Sequence, residues 1–79
     1  MTEIVDIHIG QRLRQRRKSL RLTQSDLGMS CGVRFQQIQK YESAVQRMSA
    51  AMLWRFASAL GVGAQYFYEG LGGESSSTS

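Results

Sequence analysis

The chain has 79 residues, of which 42% are hydrophobic and 20% charged, a composition that excludes an intrinsically disordered polymer and suits one small domain. Its net charge of +4 and pI near 9.8 favour a polyanionic partner without naming it, and a lone cysteine, Cys31, excludes an intramolecular disulfide scaffold. The opening MTEIVDIHIG lacks the basic start and apolar run of a signal peptide, and no stretch approaches the roughly 18 apolar residues of a membrane span, so a soluble cytoplasmic protein with no membrane partner is expected.

In chain order, Asp6 is the expected cap of a first helix from about Ile7 to Leu20, with Ile9, Leu13 and Leu20 on its apolar side and arginines on the rest. Thr23 opens a T-x-x-D capping box with Asp26, which starts a second helix over Gln24 to Cys31 with Leu27 and Cys31 turned inward. Gly32 follows where a helix commonly ends in the left-handed conformation. A third helix, from about Arg34 to Glu42, has Val33, Ile38 and Tyr41 as its inward candidates, leaving Phe35, Gln36, Gln37, Gln39 and Lys40 outward. Ser43 to Met48 reads as a polar loop. Ser49 caps a fourth helix in which Leu53, Phe56, Ala57 and Leu60 repeat at i, i+3, i+4 and i+7, and Gly61 stops it. A short fifth helix is expected over residues 63–70, with Phe67 packing inward and Leu71 closing the bottom. Residues 1–71 thus form one domain, and the tail 72–79, GGESSSTS, is expected to be disordered.

Acid–base or metal chemistry needs convergent ligands or paired titratable groups, and one His, one Cys and six scattered carboxylates supply no such spacing. No enzyme activity and no cofactor are expected. Cys31 reads as a small buried hydrophobe and His8 as a surface side chain.

Two helical segments hinged on a glycine, the second crowded with Gln and Lys, are the layout of a helix-turn-helix, which lodges its second helix in the DNA major groove. The charge agrees: from Arg12 to Arg47 nine basic side chains face only Asp26 and Glu42, a net +7. A Gln amide matches the N7 and N6 edge of adenine, Lys donates to guanine O6 and N7, and Phe35 can pack on a thymine methyl. The competing reading of the same face is a merely solvated one.

Residues 9–33, IGQRLRQRRKSLRLTQSDLGMSCGV, then FQQIQKYE at 35–42, and LWRFASALGV and YFYEGL near the end together resemble the Cro and phage-repressor type of helix-turn-helix protein, the XRE family, over residues 7–71. The resemblance implies an all-α, compact five-helix bundle of the lambda-repressor-like DNA-binding kind, acting as a bacterial transcriptional regulator, in particular a repressor. It implies that Arg34, Phe35, Gln36, Gln37 and Lys40 read bases. On double-stranded DNA, Gln24 would touch a phosphate and brace the recognition helix, Gln39 would lie nearer the backbone, and Ser43, Gln46 and Arg47 would hold phosphates on the far side of the groove. Arg17 and Glu42 would form a structural salt bridge, and Leu13, Leu27, Cys31, Val33, Ile38, Leu53, Phe56 and Leu60 the core.

Two departures from the family pattern stand out. The family usually has Ser or Thr where Arg34 stands, and losing that cap costs about 1 kcal/mol. It usually has Ala where Gly28 stands, and glycine inside a helix costs about 0.8 to 1 kcal/mol. Both predict a modest melting temperature.

A homodimer on a two-fold symmetric operator is expected because one helix reads few base pairs. Met52, Trp54, Tyr66, Tyr68 and Leu71 either form its interface or complete a monomer core. The alternative is an antitoxin or other protein-interaction module on the same fold, although the short, apolar-poor tail does not suit a toxin wrap. A membrane-lying first helix lacks the large apolar face it would need.

Overall fold

The computed structural model describes residues 3–71, and the disorder expected of 72–79 lies outside them. The regular structure is all helical: α1 (Ile4–Ser19), α2 (Gln24–Cys31), α3 (Phe35–Glu42), α4 (Ala50–Leu60) and a 3-10 helix (Ala64–Tyr68). The four α-helices match the expected order, but the fifth element is a single 3-10 turn and not an α-helix. No described helix is long and apolar enough to cross a membrane.

The boundaries follow local chemistry. The Thr23 hydroxyl accepts from the Asp26 N–H and the Asp26 carboxylate from the Thr23 N–H, each at 2.9 Å, which satisfies two donors at the start of α2. Ser49 caps α4 by accepting from the Met52 N–H at 3.1 Å. Gly32 (φ 75) and Gly61 (φ 70) end α2 and α4 in the left-handed region.

Helix α1 departs from expectation. It begins at Ile4 with Glu3 at its N-cap, so Asp6 lies in the first turn and its carboxylate bonds to Arg47 instead of capping. The helix ends at Ser19, and Leu20, expected on the apolar side, is 41% exposed. Arg21 then adopts φ 60, a left-handed conformation that costs a non-glycine residue about 1 kcal/mol or more.

Leu13, Leu27, Ile38, Phe56, Leu60 and Phe67 form the fully buried centre, joined by Ile9, Cys31, Tyr41, Met52, Leu53 and Ala57. Val33, expected inside, is half-buried against it. The Tyr41 and Phe56 rings meet edge to face at 5.5 Å. Met52 completes the core and Tyr66 packs on it, whereas Trp54 (68% exposed) and Tyr68 remain at the surface.

Two glycines permit close approach. A Cβ on Gly10 would lie 2.7 Å from the carbonyl oxygens of both Tyr41 and Glu42, so α1 crosses the end of α3 at a spacing only glycine allows. A Cβ on Gly28 would lie 2.5 Å from the Val33 carbonyl oxygen. That corrects the expectation that Gly28 simply weakens α2, because its missing side chain lets the turn fold back onto the helix.

Candidate nucleic-acid interface

Helix α3 buries Ile38 and Tyr41, one turn apart, and thereby turns Phe35, Gln36, Gln39 and Lys40 outward. Its orientation is held by charge. Arg17 donates from Nε to Glu42 Oε2 at 2.6 Å and from Nη2 to Oε1 at 3.1 Å, while its Nη1 donates to the Leu22 carbonyl at 2.8 Å. Gln24 Nε2 adds a third bond to the same carboxylate at 3.2 Å. The Arg17 and Glu42 side chains are only 9% and 5% exposed. One buried carboxylate therefore ties α1, α2 and the end of α3 together, in the bidentate geometry that makes Arg–carboxylate pairs directional.

The candidate base readers fall in two groups. Arg34 is the N-cap of α3, extended at φ −81 and ψ 157 with no side-chain cap bond, and it is exposed with Phe35, Gln36 and Lys40. Gln37 is half-buried and donates through Nε2 to Gln46 Oε1 at 3.3 Å, so the loop holds its amide.

The candidate phosphate ligands lie in more than one place, as expected, but Ser43 stands with Gln24 and not with Arg47. Gln24, Gln39 and Ser43 line an open polar cleft of about 340 Å³ with Arg14, Arg17 and Glu42. The Ser43 hydroxyl donates to the Gln39 carbonyl at 2.8 Å. Gln46 stands beside Gln37, and Arg47 lies in another cleft with Asp6, Ile9 and Met48, donating from Nε to Asp6 Oδ2 at 3.1 Å.

The basic side of α1 is more occupied than its charge suggested. Arg12 donates to the Tyr66 carbonyl and to Glu69 Oε1, each at 2.9 Å, and stacks 3.8 Å above the Tyr66 ring. Arg16 donates to the Leu60 carbonyl at 3.0 Å, at the end of α4 where cations are favoured. His8, expected as a free surface side chain, is half-buried and bonds through Nε2 to the Glu69 carbonyl at 2.7 Å. Arg14, which sequence reasoning left within the general basic field, is the α1 side chain that reaches the Gln24 cleft beside Arg17. Its spacing three residues before Arg17 was the available signal.

Two titratable groups depart from their ordinary values. The Thr23 backbone N–H, and secondarily the Thr23 side chain, hold the Asp26 carboxyl below its usual value. Burial pushes the Cys31 thiol up, with nearby Arg55 opposing it, which disfavours the reactive thiolate.

A helix-turn-helix family profile matches residues 13–67. A transcriptional regulator in the ATPase CF(0) region of Rhodospirillum rubrum is 52% identical over 67 residues, covering 85% of this chain and 62% of that protein. The HTH-type transcriptional regulator y4wC of Sinorhizobium fredii is 49% identical over 65 residues, covering 82% of this chain and 46% of that one. The chain thus spans about half to three-fifths of the length of these curated relatives. Among solved structures, the P22 c2 repressor in complex with a synthetic operator superimposes with a TM-score of 0.72 at 31% identity, covering 78% of this chain and 94% of the repressor chain. From the matched profile, these relatives and the α2–Gly32–α3 geometry, the chain belongs to the helix-turn-helix family, in its Cro and phage-repressor (XRE) branch.

Proposed function

We propose that the chain is a sequence-specific, DNA-binding transcriptional regulator, acting as a repressor, that lays α3 in the major groove of an operator. The observation that carries the reading is the exposed row of Arg34, Phe35, Gln36 and Lys40 on a helix whose other side is anchored by Ile38, Tyr41 and the Arg17–Glu42 pair. Amides and an ammonium are the groups that discriminate base edges, and a rigid backing is what allows them to discriminate. The names of its relatives and the operator-bound P22 c2 repressor support the same reading.

In this reading Arg34, Phe35, Gln36, Gln37 and Lys40 contact bases, with Gln46 orienting Gln37. Gln24, Gln39 and Ser43, joined by Arg14, hold one phosphate stretch, and Gln46 and Arg47 hold another. The domain occupies residues 1–71 and works in the bacterial cytoplasm, at the nucleoid. It binds as a homodimer on a two-fold symmetric operator, because an eight-residue α3 reads few base pairs by itself, and the exposed Trp54 and Tyr68 offer apolar surface for pairing.

Selection of bound duplexes from random DNA tests the whole proposal, since sequence, symmetry and half-site spacing emerge together. On the selected site Gln36→Ala is expected to cost about 1 to 3 kcal/mol and relax base preference at one position. Arg47→Ala is expected to weaken binding to every sequence and to reduce the salt slope by about one unit. Equal losses of specific and non-specific binding in both variants would refute the division of roles, and recovery of no preferred sequence would refute the function.

A further inference from the structure

We propose that Asp6 is a positioning residue for the Arg47 phosphate clamp, holding its guanidinium by one edge and leaving the other free for DNA. This rests on the reading of Arg47 as a phosphate contact. The geometry supplies the rest. Asp6 sits in the first turn of α1, 41 residues before Arg47, with its side chain only 12% exposed, whereas Arg47 stands on the loop between α3 and α4 and is 65% exposed. A largely covered carboxylate on a helix therefore meets a cation on a loop.

The contact runs through Nε alone, at 3.1 Å to Oδ2. A guanidinium carries five N–H donors, and capturing the Nε–H leaves the four on Nη1 and Nη2. Those form the fork that grips a phosphate with two parallel bonds. A long side chain on a loop otherwise loses much rotamer freedom on binding, and a partner that limits it beforehand reduces that cost. Asp6 does not cap α1, which begins at Ile4; its place in the first turn suits a carboxylate, and its side-chain hydrogen bond goes to Arg47.

The experiment uses the full chain and a short mixed-sequence duplex, titrated at several salt concentrations for wild type, Asp6→Ala, Asp6→Asn, Arg47→Ala and the Asp6→Ala/Arg47→Ala double variant, with melting curves confirming that each is folded. Asp6→Ala is expected to weaken binding roughly twofold to fivefold, the span of an exposed ion pair. In the Arg47→Ala background the same change is expected to have no effect. Asp6→Asn, which keeps an oxygen able to accept from Nε, is expected to restore most of the affinity. Additive losses from Asp6→Ala and Arg47→Ala would overturn the inference by making Asp6 a structural residue independent of the clamp. Tighter binding by Asp6→Ala would overturn it by making the carboxylate a competitor of phosphate. If Arg47→Ala itself leaves binding and salt slope unchanged, the clamp reading fails; if only Asp6→Ala is silent, the clamp stands and the positioning role fails.

Discussion

Glu42→Ala isolates the contact on which the orientation of α3 depends. The carboxylate accepts two bonds from Arg17 and one from Gln24, and the Arg17 side chain is 9% exposed. Truncating Glu42 leaves a guanidinium largely out of water with the Leu22 carbonyl as its remaining partner. Orphaning a buried charge costs about 3–5 kcal/mol. A domain of 79 residues has about 4–12 kcal/mol of stability in all, so the variant is expected to lose about a quarter of it or more. At about 4–8 °C per kcal/mol for a domain of this size, the melting midpoint should fall by tens of degrees, read by circular dichroism or calorimetry. The control is Arg17→Met with Glu42→Leu, which removes both charges and fills the space. It should be more stable than Glu42→Ala alone, because the penalty arises from the unpaired cation and not from the net worth of the pair. A double variant less stable than the single, or a Glu42→Ala midpoint within a few degrees of wild type, would refute the reasoning.

Gly28→Ala gains about 0.8–1 kcal/mol of helix propensity but sets a methyl 2.5 Å from the Val33 carbonyl, so its urea midpoint should not rise, and a clear increase would contradict the close approach. Gly10→Ala meets two carbonyl oxygens at 2.7 Å and should cost about 1–3 kcal/mol, as overpacking does; an unchanged midpoint would contradict it. Arg21→Gly removes a left-handed non-glycine residue (φ 60) and is expected to stabilise by about 0.5–1 kcal/mol, the relief exceeding the added freedom of the unfolded chain; a lower midpoint would count against it. Asp26 titrates below its usual value because Thr23 bonds to the ionised form. Its contribution is therefore fully present above the unfolded value near 3.8 and disappears as pH falls through the lower folded value. Asp26→Asn should remove that part of the acid loss, and identical stability profiles of wild type and variant below pH 4 would exclude the role.

Most of what the sequence disclosed was local. Thr23 with Asp26, Gly32, Ser49 and Gly61 each act within one turn of where they stand, so their chemistry announced the ends of α2 and α4. The spacing of Ile38 and Tyr41 likewise told which side of α3 faces the core. What escaped was set by residues far along the chain. Asp6 looked like a cap because Arg47 lies 41 positions away, and His8 looked free because Glu69 lies 61 away. Gly10 and Gly28 carried the penalty of a glycine in a helix, and only the packed arrangement of α1, α3 and the turn reveals the space they provide. The arginines of α1 raised a charge total that said nothing of the carbonyls they satisfy. For the candidate interface, outward residue types and the separation of Arg47 from Gln24 were readable, but the place of Ser43 in the Gln24 cleft was not.

The ties that α1 makes to the 3-10 helix have a kinetic meaning. Helices α2 and α3 are neighbours along the chain and meet after closing a short loop, an inexpensive step in chain entropy. The bonds from His8 and Arg12 to Glu69 and Tyr66 span 61 and 54 residues, and the Arg17–Glu42 pair spans 25. Long-range contacts of this kind form once most of the chain is already arranged. The turn between α2 and α3 is thus within early reach of a folding chain, while the brace that aims α3 awaits the docking of α1. Damage at the first helix or at Tyr66–Glu69 should therefore be felt at the recognition surface as a faster loss of its geometry, without any change to the residues that line it.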